Sequence, residues 1–300
     1  MIGRCVSRTL QQLGSQLFVR ERIDWKRGDQ VDIQIQRVVE EFFDHVDGEN
    51  WSIFWLAGKG GFGVSKEQYE FDTYIFERFL RHVSSFRSGE GIVVLASSAG
   101  AIYGTNNFEI ITEDTHPGPE SQYGMNKSKQ ESLIQTFAKE TNCKAFIARI
   151  STVYGPGADH LNGYGLINNI CRADIRRKSI DIFVPLETSR NYIYSMDAGE
   201  LLVRHCSLIF ESDGIVSIRN IVSPWSTTIA EILYESSRVF KRRIRSVSRI
   251  DDRKTTYGER FDIKSIESIN IGYFSYTPLA SGIKQTRDSI LLDFQSGSQE

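Results

Sequence analysis

Three apolar runs constrain this chain more than anything else in it. They are WSIFWLAG (51–58), GIVVLASS (91–98) and KAFIARIS (144–151). None alternates apolar with polar, so each reads as a strand covered on both faces. Between and around them lie stretches with helical spacing. Residues 35–46 carry Val38, Val39, Phe42, Phe43 and Val46, and residues 67–83 carry Phe71, Ile75, Phe79 and Val83 on one stripe. A third helix runs from Tyr123 to about Glu140 and packs Leu133, Ile134 and Phe137. Buried strands alternating with amphipathic helices mean βαβ units and a parallel sheet. In such sheets ligands bind at the carboxyl ends of the strands, which here read LAG, LASS and ARIS.

The ends of the chain are less regular. RCVSRTLQQL (4–13) has helical spacing and stops before Gly14, a helix C-cap residue. QLFVR (16–20) and IDWK (23–26) read as two short strands, yet only about two residues separate them, against the dozen or more of a parallel crossover. The pattern loosens after Tyr154, where a Gly-, Asn- and Arg-rich loop leads into a helix at Leu166–Arg177. Residues 222–294 mix short helices with loops, as a smaller substrate-covering lobe would. This divides the chain into residues 1–155 and 156–300, with about 190–222 returning to the first unit.

The formal net charge is −2, so the overall charge points to neither nucleic acid nor an anionic membrane as partner. No apolar run approaches the ~18–20 residues of a membrane helix, and no charged-then-apolar leader opens the chain. Cys5, Cys143, Cys171 and Cys206 lie far apart, which suits reduced thiols in a cytoplasmic enzyme. The five histidines show no metal-ligand spacing, so no metal site is expected.

SQYGMNK (121–127) brings chemistry to this scaffold. Tyr123 and Lys127 stand four apart, on one face of a helix, one turn from each other. With a phenol pKa near 10, the phenolate costs roughly 4 kcal/mol at pH 7. An ammonium about 4 Å away at an effective dielectric of 20 returns about as much. The pair can therefore act as a tyrosinate base that takes a proton from a hydroxyl as hydride leaves the attached carbon. A solvated Tyr–Lys pair on a helix face has the same spacing, so the pair alone is a weak signal.

The motifs around it add weight. SSAGAIYG (97–104) follows the second strand, ARISTVYGPG (148–157) the third, and RNYIYSMDAGE (190–200) comes later. In this order they resemble the extended short-chain dehydrogenase/reductase family, specifically its NAD-dependent epimerase/dehydratases of nucleotide sugars. The resemblance runs from residue 2 to about 294 and ends in a weak match at YTPLASGIKQT (276–286). It implies a Rossmann-like doubly wound parallel sheet with a smaller C-terminal substrate-binding lobe, tightly bound NAD, a nucleotide-sugar substrate and a homodimer. It makes Tyr123 the acid–base and has Lys127 hold the nicotinamide ribose. The hydroxyl that bonds the reacting group falls at Ala99 by count, with Ser98 one step back as the residue able to serve. Arg190 would grip the substrate's diphosphate, its usual Asp neighbour being Asn191 here, and Gly165, Leu166 and Ile167 would line the nucleotide pocket.

Two glycine signals compete for the cofactor. GKGGFG (58–63) fits G-x-G-x-x-G after a strand, yet the next strand carries no acid for ribose hydroxyls. The resemblance instead makes this the fourth strand's loop, touching the cofactor through Ala57 and Gly58. The fingerprint then falls at the N-terminus, where Gly3 before RCVSRTLQQLG looks like the tail of a G-x-x-G-x-x-G turn. On this view the chain is N-terminally shortened and binds NAD poorly, and about ten upstream residues of strand plus G-x-x-G-x would restore binding. Glu21 matches the ribose-binding acid but is flanked by Arg20 and Arg22, which leaves NADP open, and Asp29 resembles the adenine-contacting Asp. SSAGAIYG holds no acid of the kind a dehydratase needs, which favours an epimerase. An NAD(P)H-dependent carbonyl reductase and a degenerate nucleotide-binding relative are the alternatives.

Overall fold

In the computed structural model, residues 1–20, 22–25, 28–58, 64–86, 90–104, 110–157, 165–249, 262–266 and 273–296 are described. Helix α1 (Ile2–Gln12) opens the chain, followed by α2 (Gly28–Val46), β1 (Trp51–Trp55), α3 (Lys66–Ser84) and β2 (Gly91–Ser98). Then come α4 (Ala99–Ile102), α5 (Gln122–Thr141), β3 (Lys144–Ile150) and β4 (Thr152–Tyr154). The second half holds α6 (Leu166–Ile175), β5 (Ile180–Ile182), β6 (Ser189–Tyr194), α7 (Ser195–Glu211) and β7 (Val216–Ile221). It closes with β8 (Ser226–Thr228), α8 (Ile229–Val239), β9 (Ser246–Ser248) and α9 (Leu279–Gln295).

The main sheet has the order β1-β2-β3-β7 with every pairing parallel. Alternation along its two central strands splits the core. Val93, Leu95, Ala145 and Ile147 pack with α2, α3 and α5 on one face. Ile92, Val94, Phe146 and Ala148 pack with α1 and α7 on the other. This is why both runs read as continuously apolar: each face of the sheet meets a helix layer. Helix α7 and strand β7 thus belong with the main sheet. The smaller unit pairs β4 with β6 in parallel and β6 with β8 antiparallel. Its core joins Ile167 and Ile170 of α6, Ile229 and Ile232 of α8, and Ile283 and Ile290 of α9. The Asp174 carboxylate, wholly buried, ties that unit together by accepting from Arg242 and Arg287.

Two expectations about the first 55 residues are corrected. Residues 16–20 and 23–25 form no strands. Mostly side chains hold them: Phe18 meets Phe42 of α2 edge-on at 5.4 Å, Trp25 meets Trp55 of β1 at 6.3 Å, and the Asp24 amide donates to the Gln34 side chain at 2.9 Å. A strand needs a ladder partner, and two residues cannot carry the chain across to one. The second correction concerns β1, which is not buried on both faces. Ser52 is exposed and Ile53 and Phe54 are half-buried, because β1 is the edge of the sheet among the described residues. Beside that edge lies a cavity of about 1020 Å³, walled by α1, α2, α7 and residues 15–18, 23 and 25, with Phe18, Trp25, Phe42, Trp51, Trp55 and Phe210 in its lining.

Candidate active site

The carboxyl ends of the strands converge where the parallel sheet predicts. Ala57 and Gly58 follow β1, Ser97 and Ser98 end β2, and Ser151 follows β3. With Ile2, Asp72, Tyr123, Asn126 and Lys127 they line a cavity of about 200 Å³. Tyr123 reaches it because α5 starts close against α4. Ser121 caps α5 by accepting from the Gly124 amide at 3.0 Å. A Cβ at Gly124 would stand 2.3 Å from the Ala101 carbonyl oxygen. Only glycine lets the two helices meet this closely, which explains the glycine after Tyr123. Gly58, at φ +130°, plays a similar part on the opposite wall: a side chain there would be strained, and it would point at Asp72 and Lys127.

The Ser98 hydroxyl makes no bond to the backbone of α4, the short helix that it precedes. It faces the same small cavity as Tyr123. Tyr69 flanks the Tyr123 ring at 5.9 Å. Burial pushes the Tyr123 phenol up to about 12, opposed by the Ser98 hydroxyl, and Tyr69 and Asp72 push the same way as burial. Lys127 is buried, with its ammonium donating to the Ala96 carbonyl at 2.9 Å and the Gln130 side chain at 3.0 Å. Burial lowers it to about 8, opposed by the carboxylates of Asp72 and Glu131. Desolvation thus outweighs charge at both groups, and the resting site holds a neutral phenol.

The remaining sequence candidates divide cleanly. Ser98, Tyr123, Lys127, Ala57 and Gly58 share the small cavity, whereas Gly3 lines only the large one. Arg190 and Leu166 belong to the smaller unit and line neither. Arg190 sits on β6 opposite Thr227 and donates to the Ser189 carbonyl, and Leu166 is the first residue of α6. Glu21, residues 59–63 and the side chain of Asp29 lie outside the described residues, although the Asp29 backbone falls in the first turn of α2. Asp72 and Asn126 were not foreseen, since a polar residue on an amphipathic helix carries no mark of facing a pocket. Gln130 could have been found by its spacing, three residues past Lys127 on one helix face.

The cavity suits the nicotinamide end of a dinucleotide. The Ser151 hydroxyl, on its lining, is buried without a hydrogen-bond partner. Gly58 leaves room on one wall and Lys127 offers donors on another. Helix α1 begins at Ile2, also on the lining, so its free amides are near for a pyrophosphate. Among the described residues no group of His, Cys, Asp and Glu could hold a metal ion.

Over 148 residues the chain is 32% identical to the dTDP-4-dehydro-6-deoxyglucose reductase of Escherichia coli, a match that covers 49% of this chain and 45% of that protein. Over 119 residues it is 28% identical to the dTDP-L-rhamnose 4-epimerase of Burkholderia thailandensis, covering 39% of this chain and 32% of the relative. The matched stretches thus span less than half the length of these curated relatives. The fold as a whole superposes on the UDP-glucose 4-epimerase of Thermotoga maritima, solved with UDP-glucose, at TM-score 0.81 and 19% identity, covering 100% of this chain and 97% of the other. A second UDP-glucose 4-epimerase, from Thermus thermophilus and solved with NAD, gives TM-score 0.75 and 20% identity over 97% and 96% of the chains. A sequence profile matches residues 1–213, and the chain belongs to the NAD dependent epimerase/dehydratase family.

Proposed function

We propose that this chain is an NAD-dependent nucleotide-sugar epimerase, with Tyr123 as its acid–base. The observation that carries the proposal is that Tyr123 and Ser98 share one small cavity with a buried lysine one turn up the same helix, at the carboxyl ends of a parallel sheet. NAD would supply the acceptor and donor of hydride. Lys127, Gly58 and Ser151 are the residues to hold its nicotinamide end. As the proton of a sugar hydroxyl passes to the Tyr123 oxygen, hydride leaves the attached carbon, and the reverse steps from the other face give the epimer. Ser98 orients that hydroxyl. At rest Tyr123 is a neutral phenol, the form that gives a proton; taking one needs positive charge nearby, and Lys127 is the cation one turn along its own helix that shares its cavity. Arg190 is proposed for the diphosphate and Leu166 for the nucleotide, both from the smaller unit. The four free thiols suit a reducing compartment, the cytoplasm. No helix among the described residues is long and apolar enough to cross a membrane.

The test is turnover of UDP- and dTDP-sugars with saturating NAD, read by chromatography of the epimers. Interconversion without net change in cofactor redox state supports the proposal. The identity to a dTDP-sugar reductase favours a second reading, in which product forms only in step with consumed NADH or NADPH. No turnover of any nucleotide sugar would overturn both.

A further inference from the structure

Behind the cavity runs a buried polar chain that the proton and hydride steps do not use. The Glu131 Oε1 accepts from the Ser97 hydroxyl at 2.6 Å and from Arg149 Nε at 3.1 Å. Its Oε2 accepts from Arg149 Nη2 at 2.8 Å. Arg149 Nη1 donates to the Tyr103 hydroxyl at 3.0 Å, and that hydroxyl donates to Asn220 Oδ1 at 3.0 Å. All five residues are buried, Glu131 and Arg149 to within 4% and 3% of full burial. The chain crosses α5, β2, β3, the end of α4 and β7, so it ties α5 to three strands at their carboxyl ends.

A buried ion pair is weak support for stability, since desolvation offsets its attraction, and its better-attested use is to fix one arrangement of the chain. Where this pair sits says which arrangement. Glu131 follows Lys127 by one helical turn and Tyr123 by two. Ser97, its partner, is the neighbour of Ser98, which lines the cavity with Tyr123. A slide of α5 along β2 would break the Ser97–Glu131 bond and carry Tyr123 away from Ser98.

We propose that Glu131 is the positioning residue of this site, and that its bidentate pair with Arg149 locks α5 in the register that places Tyr123 against Ser98 and Lys127 in the cavity wall. The inference rests on the proposed role of Tyr123 and Lys127. Misplacement of a reacting group by about 1 Å costs about a hundredfold in rate. The groups facing Lys127 are Tyr123 and Glu131 on α5 and Asp72 on α3, with Arg149 of β3 behind Glu131.

The experiment compares Glu131→Gln with the uncharged double variant Glu131→Gln/Arg149→Met, which leaves no buried charge unpaired. Two readouts are taken. One is kcat and KM for the nucleotide sugar. The other is the ε-carbon NMR resonance of Lys127 in protein with labelled lysine, assigned by its loss in Lys127→Met, which needs no substrate. The proposal predicts a folded double variant with kcat down about ten- to a hundredfold, KM within about threefold, and a displaced Lys127 resonance. The resonance of Glu131→Gln titrates at lower pH than in the native protein. A double variant with native kcat and a native Lys127 resonance would overturn it. If the native protein turns over no nucleotide sugar, the resonance alone decides.

Discussion

The two flanks of β1 are closed by different means. On the β2 side a parallel ladder runs from Trp51 opposite Gly91 to Trp55 opposite Leu95, and beyond it the polar groups near the strand ends are bonded across elements, as Glu131, Arg149 and Lys127 are. On the outer side, among the described residues, no ladder runs; aromatic contacts, the Arg20–Glu41 ion pair and the Asp24 amide bond to the Gln34 side chain bridge the gap, around a cavity five times the volume of the candidate site. The two cavities meet at Leu56 and Ala57, which line both. The difference teaches that a reacting centre can be fully built on one side of a strand while the ground beside it is held only by side-chain contact. A cofactor long enough to lie across both would be gripped at its nicotinamide end and loosely beyond it.

The largest effect expected belongs to the built side. Tyr123→Phe keeps the ring and its contact with Tyr69, so folding should be unchanged while turnover falls by ~10²–10⁴. Full activity in that variant would remove the acid–base from the account. Next comes the reach to the smaller unit: Arg190→Ala should raise KM for a nucleotide sugar by roughly ten- to a hundredfold, and much less for a sugar without the diphosphate. An unchanged KM takes Arg190 out of the site. The edge itself can be measured by hydrogen exchange, where the amides of β1 should exchange at least about tenfold faster than those of β2 and β3. Equal protection would mean the outer edge is as firmly held as the inner one.

The smallest effect is on stability against pH. Lys127 titrates at about 8 when folded, against 10.5 when free. Between those values the unfolded chain binds more protons, so the native protein gains stability as pH rises through that window. Lys127→Met lacks this gain, so in urea titrations the native protein's stability relative to Lys127→Met should rise from about pH 8 to 10.5. Tyr123 acts oppositely above pH 10 but is present in both proteins and cancels. A flat difference would show that Lys127 is not desolvated.

Strands β2 and β3 were legible because an unbroken apolar run can be satisfied only between two helix layers. Tyr123 and Lys127 were legible from a spacing that helix geometry turns into adjacency. The same logic misled at 16–20 and 23–25, Lys26 of the second run lying outside the described residues: local composition favours strands there, but a strand exists only with a partner, and among the described residues these have none. It also gave β1 without its edge character, since an apolar run does not say which of its sides is paired. Arg149 carried an unread signal. A guanidinium inside KAFIARIS has to find a buried anion, and Glu131, one turn past Lys127, supplies it. Asp72 had no such mark, because its place on the cavity follows only from how α3 lies over β1 and α5.

The contrast between the two flanks is tested most directly by titrating NAD into the protein and into Lys127→Met by calorimetry. Binding weaker than micromolar is expected, weakened further by the substitution, because only the nicotinamide end is fully built. Binding at micromolar or tighter affinity that Lys127→Met leaves untouched would contradict it, and would place the grip on the cofactor beside the open edge of β1.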